Sequence, residues 1–214
     1  MAAATAFCFD IIRVYLRKTE PVLFLHDYVV LGLPRGISLD KSYPLFVTWS
    51  TLSKSGSKRL RGCIGTFEPL PVEAGLKTYA VAAAFEDNRF PPLTKEEVYS
   101  LECCVTFLLH FERVDDPMDW TVGTHGLRIT FKYNGRRKSS TYLPEVAPEQ
   151  GWTKEETLDN LMNKAGFNGP PGSYKNPDLY LEIVRYQGIA TRTSHGHFKE
   201  FKKTLKTIGQ SQNQ

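Results

Sequence analysis

The stretch Leu60-Arg61-Gly62-Cys63-Ile64-Gly65-Thr66 constrains this chain more than any other. It reads as a buried strand, yet it holds two glycines three residues apart, together with a cation and a thiol. Glycine inside a strand weakens it, because it packs nothing and loses the most backbone freedom on folding. Two glycines so close imply that something approaches the backbone there, or that the strand bulges. Arg61 and Cys63 are two apart, so an extended chain directs both to one face. Two readings follow. One is a twisted or bulged strand around a buried cysteine. The other is an anion- or carbonyl-binding site with a candidate nucleophile.

The flanking sequence puts this segment in a hairpin. Residues 43–52 are rich in aromatic and β-branched side chains and read as a strand. Residues 53–58, Ser-Lys-Ser-Gly-Ser-Lys, are a polar loop, and 60–67 return. Pro69 and Pro71 then lead into a helix over 72–84 that is rich in alanine. A second hairpin is expected around Asn134-Gly135, with strands at 127–133 and 136–143. Pro144 and a capping box, Thr153 with Glu156, then start a helix that Gly166 ends.

Elsewhere, residues 6–18 carry Phe7, Ile11, Val14 and Tyr15 near helical spacing, and Pro21 stops the helix. The segment to residue 39 reads as irregular. Thr94 with Glu97 forms another capping-box pattern, followed by a strand over 101–111. A last strand is expected over 178–186. From Gln187 the chain is polar, Phe198, Phe201 and Leu205 suggest an amphipathic tail helix, and 211–214 are expected to be disordered.

The hairpin–proline–helix order thus occurs twice, as a repeat of pattern and not of residues. At 214 residues, 41% hydrophobic and 23% charged, the chain can bury one sizeable core or two smaller ones. No run approaches the roughly 20 apolar residues of a membrane span. The start of the chain lacks a basic region, and Asp10 interrupts its apolar stretch too early for a secretory signal. Four cysteines without paired spacing fit a reducing interior. The expected setting is the cytosol, the nucleus or both. Net charge is +4, concentrated at Arg136-Arg137-Lys138 and at Lys199, Lys202, Lys203 and Lys206.

The same segments carry a family resemblance. Leu60-Arg61-Gly62-Cys63-Ile64-Gly65 resembles the signature hexapeptide of the AMMECR family. The likeness continues in Tyr43-Pro44-Leu45-Phe46-Val47-Thr48-Trp49 and Asp87-Asn88-Arg89-Phe90-Pro91-Pro92-Leu93. Further on it includes Gly123-Thr124-His125-Gly126, Tyr142-Leu143-Pro144-Glu145-Val146, Gln150-Gly151-Trp152, Lys164-Ala165-Gly166 and Arg185-Tyr186-Gln187. The resemblance implies an α+β fold of two β-β-α-type lobes with mainly antiparallel sheet. It implies no particular reaction, because that family has no agreed biochemical activity. The expected organisation is one domain of two lobes over 1–190, a cleft between them, and a basic polar tail over 191–214 that is partly disordered.

Several constellations could carry chemistry. Cys63 is the candidate nucleophile, Arg61 a cation that could lower its pKa, and His125, in a glycine-flanked turn, the candidate base. Arg61, Arg89 and Arg136, with the amides of Gly62 and Gly65, could hold a carboxylate or phosphate. Asp87 and Arg89 would stand at the cleft rim, as would Tyr142. The glycines match neither a P-loop nor a dinucleotide fingerprint, so no cofactor is expected. His195 and His197 lack a third ligand by spacing, so no metal is expected. The basic segments, interleaved with Tyr142, Phe198 and Phe201, allow weak phosphate contact, but no RNP, KH or zinc-finger pattern accompanies them. The expected function is binding of a small anionic ligand or peptide group in the cleft, with catalysis by Cys63 as its sharper form. The alternative is a non-catalytic interaction module in a regulatory or nucleic-acid-associated assembly, its protein or small-molecule partner unnamed.

Overall fold

The alternating and helical patterns resolve into six strands and five α-helices in the computed structural model, which describes residues 2–18, 24–53 and 55–211. Pro21, Lys54, residues 212–214 and the Lys206 side chain, each named above, lie outside the described residues. The elements are α1 (Ala3–Arg17), β1 (Ser42–Leu52), β2 (Lys58–Pro71), α2 (Val72–Phe85), β3 (Leu101–Val114), β4 (His125–Tyr133), β5 (Arg136–Tyr142), α3 (Val146–Gln150), α4 (Lys154–Lys164), β6 (Glu182–Ser194) and α5 (His195–Ser211). The strand order is β2-β1-β3-β6-β4-β5, and the pairs β1–β2, β1–β3, β4–β5 and β4–β6 are antiparallel. This is the mixed α+β architecture expected, with mainly antiparallel strands and the hairpin–helix order present twice.

The chain divides into two compact units, one of residues 1–107 and 189–214, the other of 108–188. In the first unit β1 alternates between buried and half-buried residues from Leu45 to Trp49. Leu45, Val47 and Trp49 are fully buried, and α2 packs on the hairpin. The Trp49 indole N–H donates to the Ala80 carbonyl at 3.1 Å, which satisfies the one polar atom that this buried ring carries. Alanines at 80, 82, 83 and 84 let that helix lie close to the strands. Phe9 of α1 meets Trp49 edge-on at 5.1 Å and stacks on Phe198 at 5.0 Å. Phe198 is 1% exposed, so the amphipathic face expected in the tail contributes this ring to the core, while Phe201 and Leu205 are half-buried. Lys202 on the same helix reaches Asp10 at 2.7 Å.

In the second unit β4 and β5 pair around Asn134-Gly135, both with positive φ as the turn requires. Leu127, Ile129 and Phe131 pack against Leu158, Leu161 and Met162 of α4. Thr153 and Glu156 form the expected capping box, and Gly166 (φ 85°) follows the helix.

Three stretches differ from the sequence expectation. Leu25–Leu31 is a 3-10 helix within the segment read as irregular. Thr94 and Glu97 exchange capping-box hydrogen bonds at 2.8 and 3.4 Å, yet only the 3-10 turn Glu97–Ser100 follows. The last strand begins at Glu182 and runs on to Ser194 through residues read as polar chain. Thr191 and Thr193 are buried there, and the Thr193 hydroxyl meets that of Thr5 at 2.6 Å. A hydroxyl so paired can be buried at little cost, so polarity alone hid the strand.

Candidate functional site

The signature strand is shaped first by an irregularity. Trp49 pairs with Gly62 and Ser50 with Leu60, so Arg61 is an extra residue on β2, a β-bulge. The bulge cancels the two-residue alternation on which a common face for Arg61 and Cys63 rests. Arg61 is 9% exposed and its guanidinium goes to Glu97, with Nε at 2.7 Å and Nη2 at 3.1 Å from the carboxylate oxygens. This two-pronged bond holds the Glu97 carboxyl below its ordinary range. Cys63 instead stands opposite Thr48, whose hydroxyl donates to the sulfur at 3.1 Å.

The two glycines do permit close approach, and the protein itself makes it. A Cβ at Gly62 would lie 1.9 Å from the Ala83 carbonyl oxygen of α2. One at Gly65 would lie 2.3 Å from the Leu45 carbonyl oxygen and 2.4 Å from the Phe46 ring.

Asp87 and Arg89 act on the backbone of Cys63. Among the described residues strand β2 has one neighbour, β1, so part of its backbone faces away from the sheet. The Cys63 N–H donates to Asp87 Oδ2 at 2.9 Å, and its carbonyl accepts from Arg89 Nη2 at 3.2 Å. Arg89 also grips Asp87 by Nε at 2.9 Å and Nη2 at 2.7 Å. One ion pair therefore supplies the acceptor and the donor that a neighbouring strand would supply. The Arg89 bond, with the two backbone amides, holds the Asp87 carboxyl well below the usual carboxylate range despite its burial. Arg89 is correspondingly raised by Asp87.

His125 and Tyr142 belong to the second unit. The His125 Nδ1 accepts the Thr121 amide at 2.9 Å, so the neutral ring carries its proton on Nε2. Burial first, and then Arg185, lower its pKa. In this tautomer the ring offers a donor, not the vacant lone pair that a base needs. Tyr142 lies under the Lys164 ammonium, 4.4 Å from its ring centre, and its ring is 5.5 Å from that of Trp152. Burial raises its phenol pKa.

The first unit thus brings together Arg61, Gly62, Cys63, Gly65, Asp87 and Arg89, with Thr48 and Glu97 as added members. Sequence reasoning missed both additions. The hairpin register was the signal for Thr48. In sequence Glu97 presents itself only as a helix cap. Cys8, Cys103 and Cys104 are buried, and burial raises the Cys103 thiol well above its ordinary value. Among the described residues no three His, Cys, Asp or Glu side chains gather as metal ligands, and no helix is long and apolar enough to cross a membrane.

A family model, AMMECR1, matches residues 5–190. The chain belongs to the AMMECR1 family. Among AMMECR1 relatives, an uncharacterised protein of Schizosaccharomyces pombe is 42% identical over 172 residues, covering 80% of this chain and 84% of its own. An uncharacterised protein of Arabidopsis thaliana is 46% identical over 171 residues, 79% of each chain. The crystal structure of an uncharacterised protein from Pyrococcus horikoshii superposes with a TM-score of 0.68 at 25% identity, covering 88% of this chain and 89% of that one. The AMMECR1 fold is therefore shared with the Pyrococcus horikoshii protein. These relatives carry no stated activity, so the biochemical role of the family is open.

Proposed function

We propose that the protein binds a small ligand or peptide end through a carbonyl or carboxylate group at Cys63, with the sulfur as candidate nucleophile. One observation carries this reading. Cys63 is partly exposed, while its backbone is held at both polar atoms by Asp87 and Arg89 and its sulfur receives the Thr48 hydroxyl. A reactive group needs such fixed support to present one geometry. Arg61 and Arg89 are each matched by a carboxylate, so excess positive charge does not hold the ligand. That favours a carbonyl-bearing or singly charged group over a polyanion. Arg89 keeps 58% of its side chain exposed and can offer a further donor to it.

His125 and Tyr142 are candidate ligand contacts within the second unit by itself, His125 as a donor through Nε2. The cytosol or nucleus is the proposed setting, in keeping with four cysteines that lack paired spacing. Iodoacetamide labelling of the native chain, read by intact mass, tests the site. One adduct on Cys63 is expected, four after denaturation, and slower labelling in the presence of short peptide aldehydes. Labelling of Cys104 as fast as Cys63, or no protection by any aldehyde, would refute the reading.

A further inference from the structure

The basic run Arg136-Arg137-Lys138 is divided by the strand that carries it. On β5, Arg136 pairs with Tyr133 and Lys138 with Phe131, which is 1% exposed. Ser140, two residues on, donates to the Leu161 carbonyl of α4. Residues 136, 138 and 140 therefore share the face of the sheet that packs on α4. Arg137 points to the opposite face and meets Glu182 at 3.5 Å. Among the described residues neither Arg136 nor Lys138 has a carboxylate partner.

A cavity of about 370 Å³ opens beside these two cations, lined by Tyr133, Asn134, Arg136, Lys138, Gly166 and Asn168. Among the described residues no acidic side chain lines it. The Tyr133 ring is braced edge-on by Phe167 at 4.8 Å. One feature opposes an anion: Gly166 follows the C-terminal end of α4, where the helix dipole places roughly half a negative charge. Two full positive charges outweigh that. Lys138 Nζ lies close to Gly166, 3.4 Å from where a Cβ would stand, and offsets it locally.

We infer that this cavity in the second unit is a binding site for a small molecule bearing a phosphate or pyrophosphate group. The volume suits a small ligand rather than a polymer. Two unmatched cations favour a dianion over a single carboxylate, and the guanidinium fork of Arg136 with the two Asn amides supplies donors for several oxygens. Tyr133 offers a ring face to the rest of the molecule. The site is independent of Cys63 and stands or falls by itself.

The test is titration of the full chain with pyrophosphate at low ionic strength, where screening is weak, followed by calorimetry and by amide shifts of residues 133–138 and 166–168. Saturable binding is expected, weakened about tenfold in Arg136→Ala and in Lys138→Ala, with Arg137→Ala close to the native protein. Arg136 is exposed, so its variant should keep the native melting temperature. A single-stranded oligonucleotide should bind more weakly than pyrophosphate. The inference is overturned if no saturable binding occurs, if Arg137→Ala loses as much as Arg136→Ala, or if the oligonucleotide binds and pyrophosphate does not.

Discussion

Asp87 accepts the amide hydrogen of Cys63 at 2.9 Å, across 24 residues of sequence, at a strand edge that no neighbouring strand covers among the described residues. The same carboxylate takes two bonds from the Arg89 guanidinium and one from the Arg89 amide. Its side chain is 7% exposed, so it is a nearly buried charge whose lone pairs are used by the motif. The motif thereby holds its own cysteine in place.

Asp87→Asn should cost about 2–3 kcal/mol at neutral pH, because it removes the charge from a buried, hydrogen-bonded pair and leaves Arg89 less matched. The folded carboxyl titrates below its unfolded value, so its stabilisation is whole above about pH 3.9 and is lost as the pH falls beneath that. The gap between native protein and variant should therefore narrow below about pH 3.9. Urea unfolding at pH 7 and pH 3 checks both parts.

Gly62→Ala should destabilise by about 3 kcal/mol, since its Cβ would stand 1.9 Å from a backbone oxygen that only a shift of α2 can move. Gly196 gives the contrast. It lies inside α5, and the nearest atom to an added Cβ is 3.7 Å away. Gly196→Ala should stabilise by about 0.5–1 kcal/mol. Equal and small effects at the two sites, measured by denaturant midpoint, would remove the close-packing account of Gly62.

Phe198→Ala should cost about 3–5 kcal/mol, the usual range for emptying a fully buried aromatic site. The residue stacks on Phe9, and the Arg13 guanidinium lies 5.4 Å from its ring. Chemical denaturation should show the loss, and hydrogen exchange should show faster opening of α5. A change under about 0.5 kcal/mol, the scale of ordinary surface substitutions, would return this helix to the status of a solvated tail.

His195 stands at the start of α5 between Phe9, Tyr99 and Phe198. Burial first, then Lys199 and Arg13, lower its pKa below the ordinary value of about 6.5. The unfolded chain takes up the proton more readily, so stability should decline as the pH falls below about 6.5. His195→Asn should flatten that decline between pH 7.5 and 5.5 in thermal melts. His125, also lowered, should account for the remainder.

Much of the fold was legible because local periodicity reports it. Period two in β1, the Asn134-Gly135 turn and the Thr153–Glu156 box each act through neighbours in sequence. The strand over Thr191 and Thr193 was not legible, because two buried hydroxyls read as solvated polarity until Thr5 supplies a partner for one of them. A bulge in the signature strand is one of the two readings its glycines allow, but its place at Arg61 was hidden, since an extra residue exists only relative to the strand opposite.

By itself the sequence determined that the Arg-Gly-Cys-Ile-Gly strand must bulge or be closely approached, and that an Asp-Asn-Arg loop would stand beside two prolines. Only the tertiary structure decided that Ala83 and Phe46 make the approach, and that the Asp87–Arg89 pair holds Cys63. It also turned Arg61 away to Glu97. The physical reason is that glycine spacing and charge specify what a backbone can tolerate. Register and packing between elements distant in sequence choose which partner fills the space.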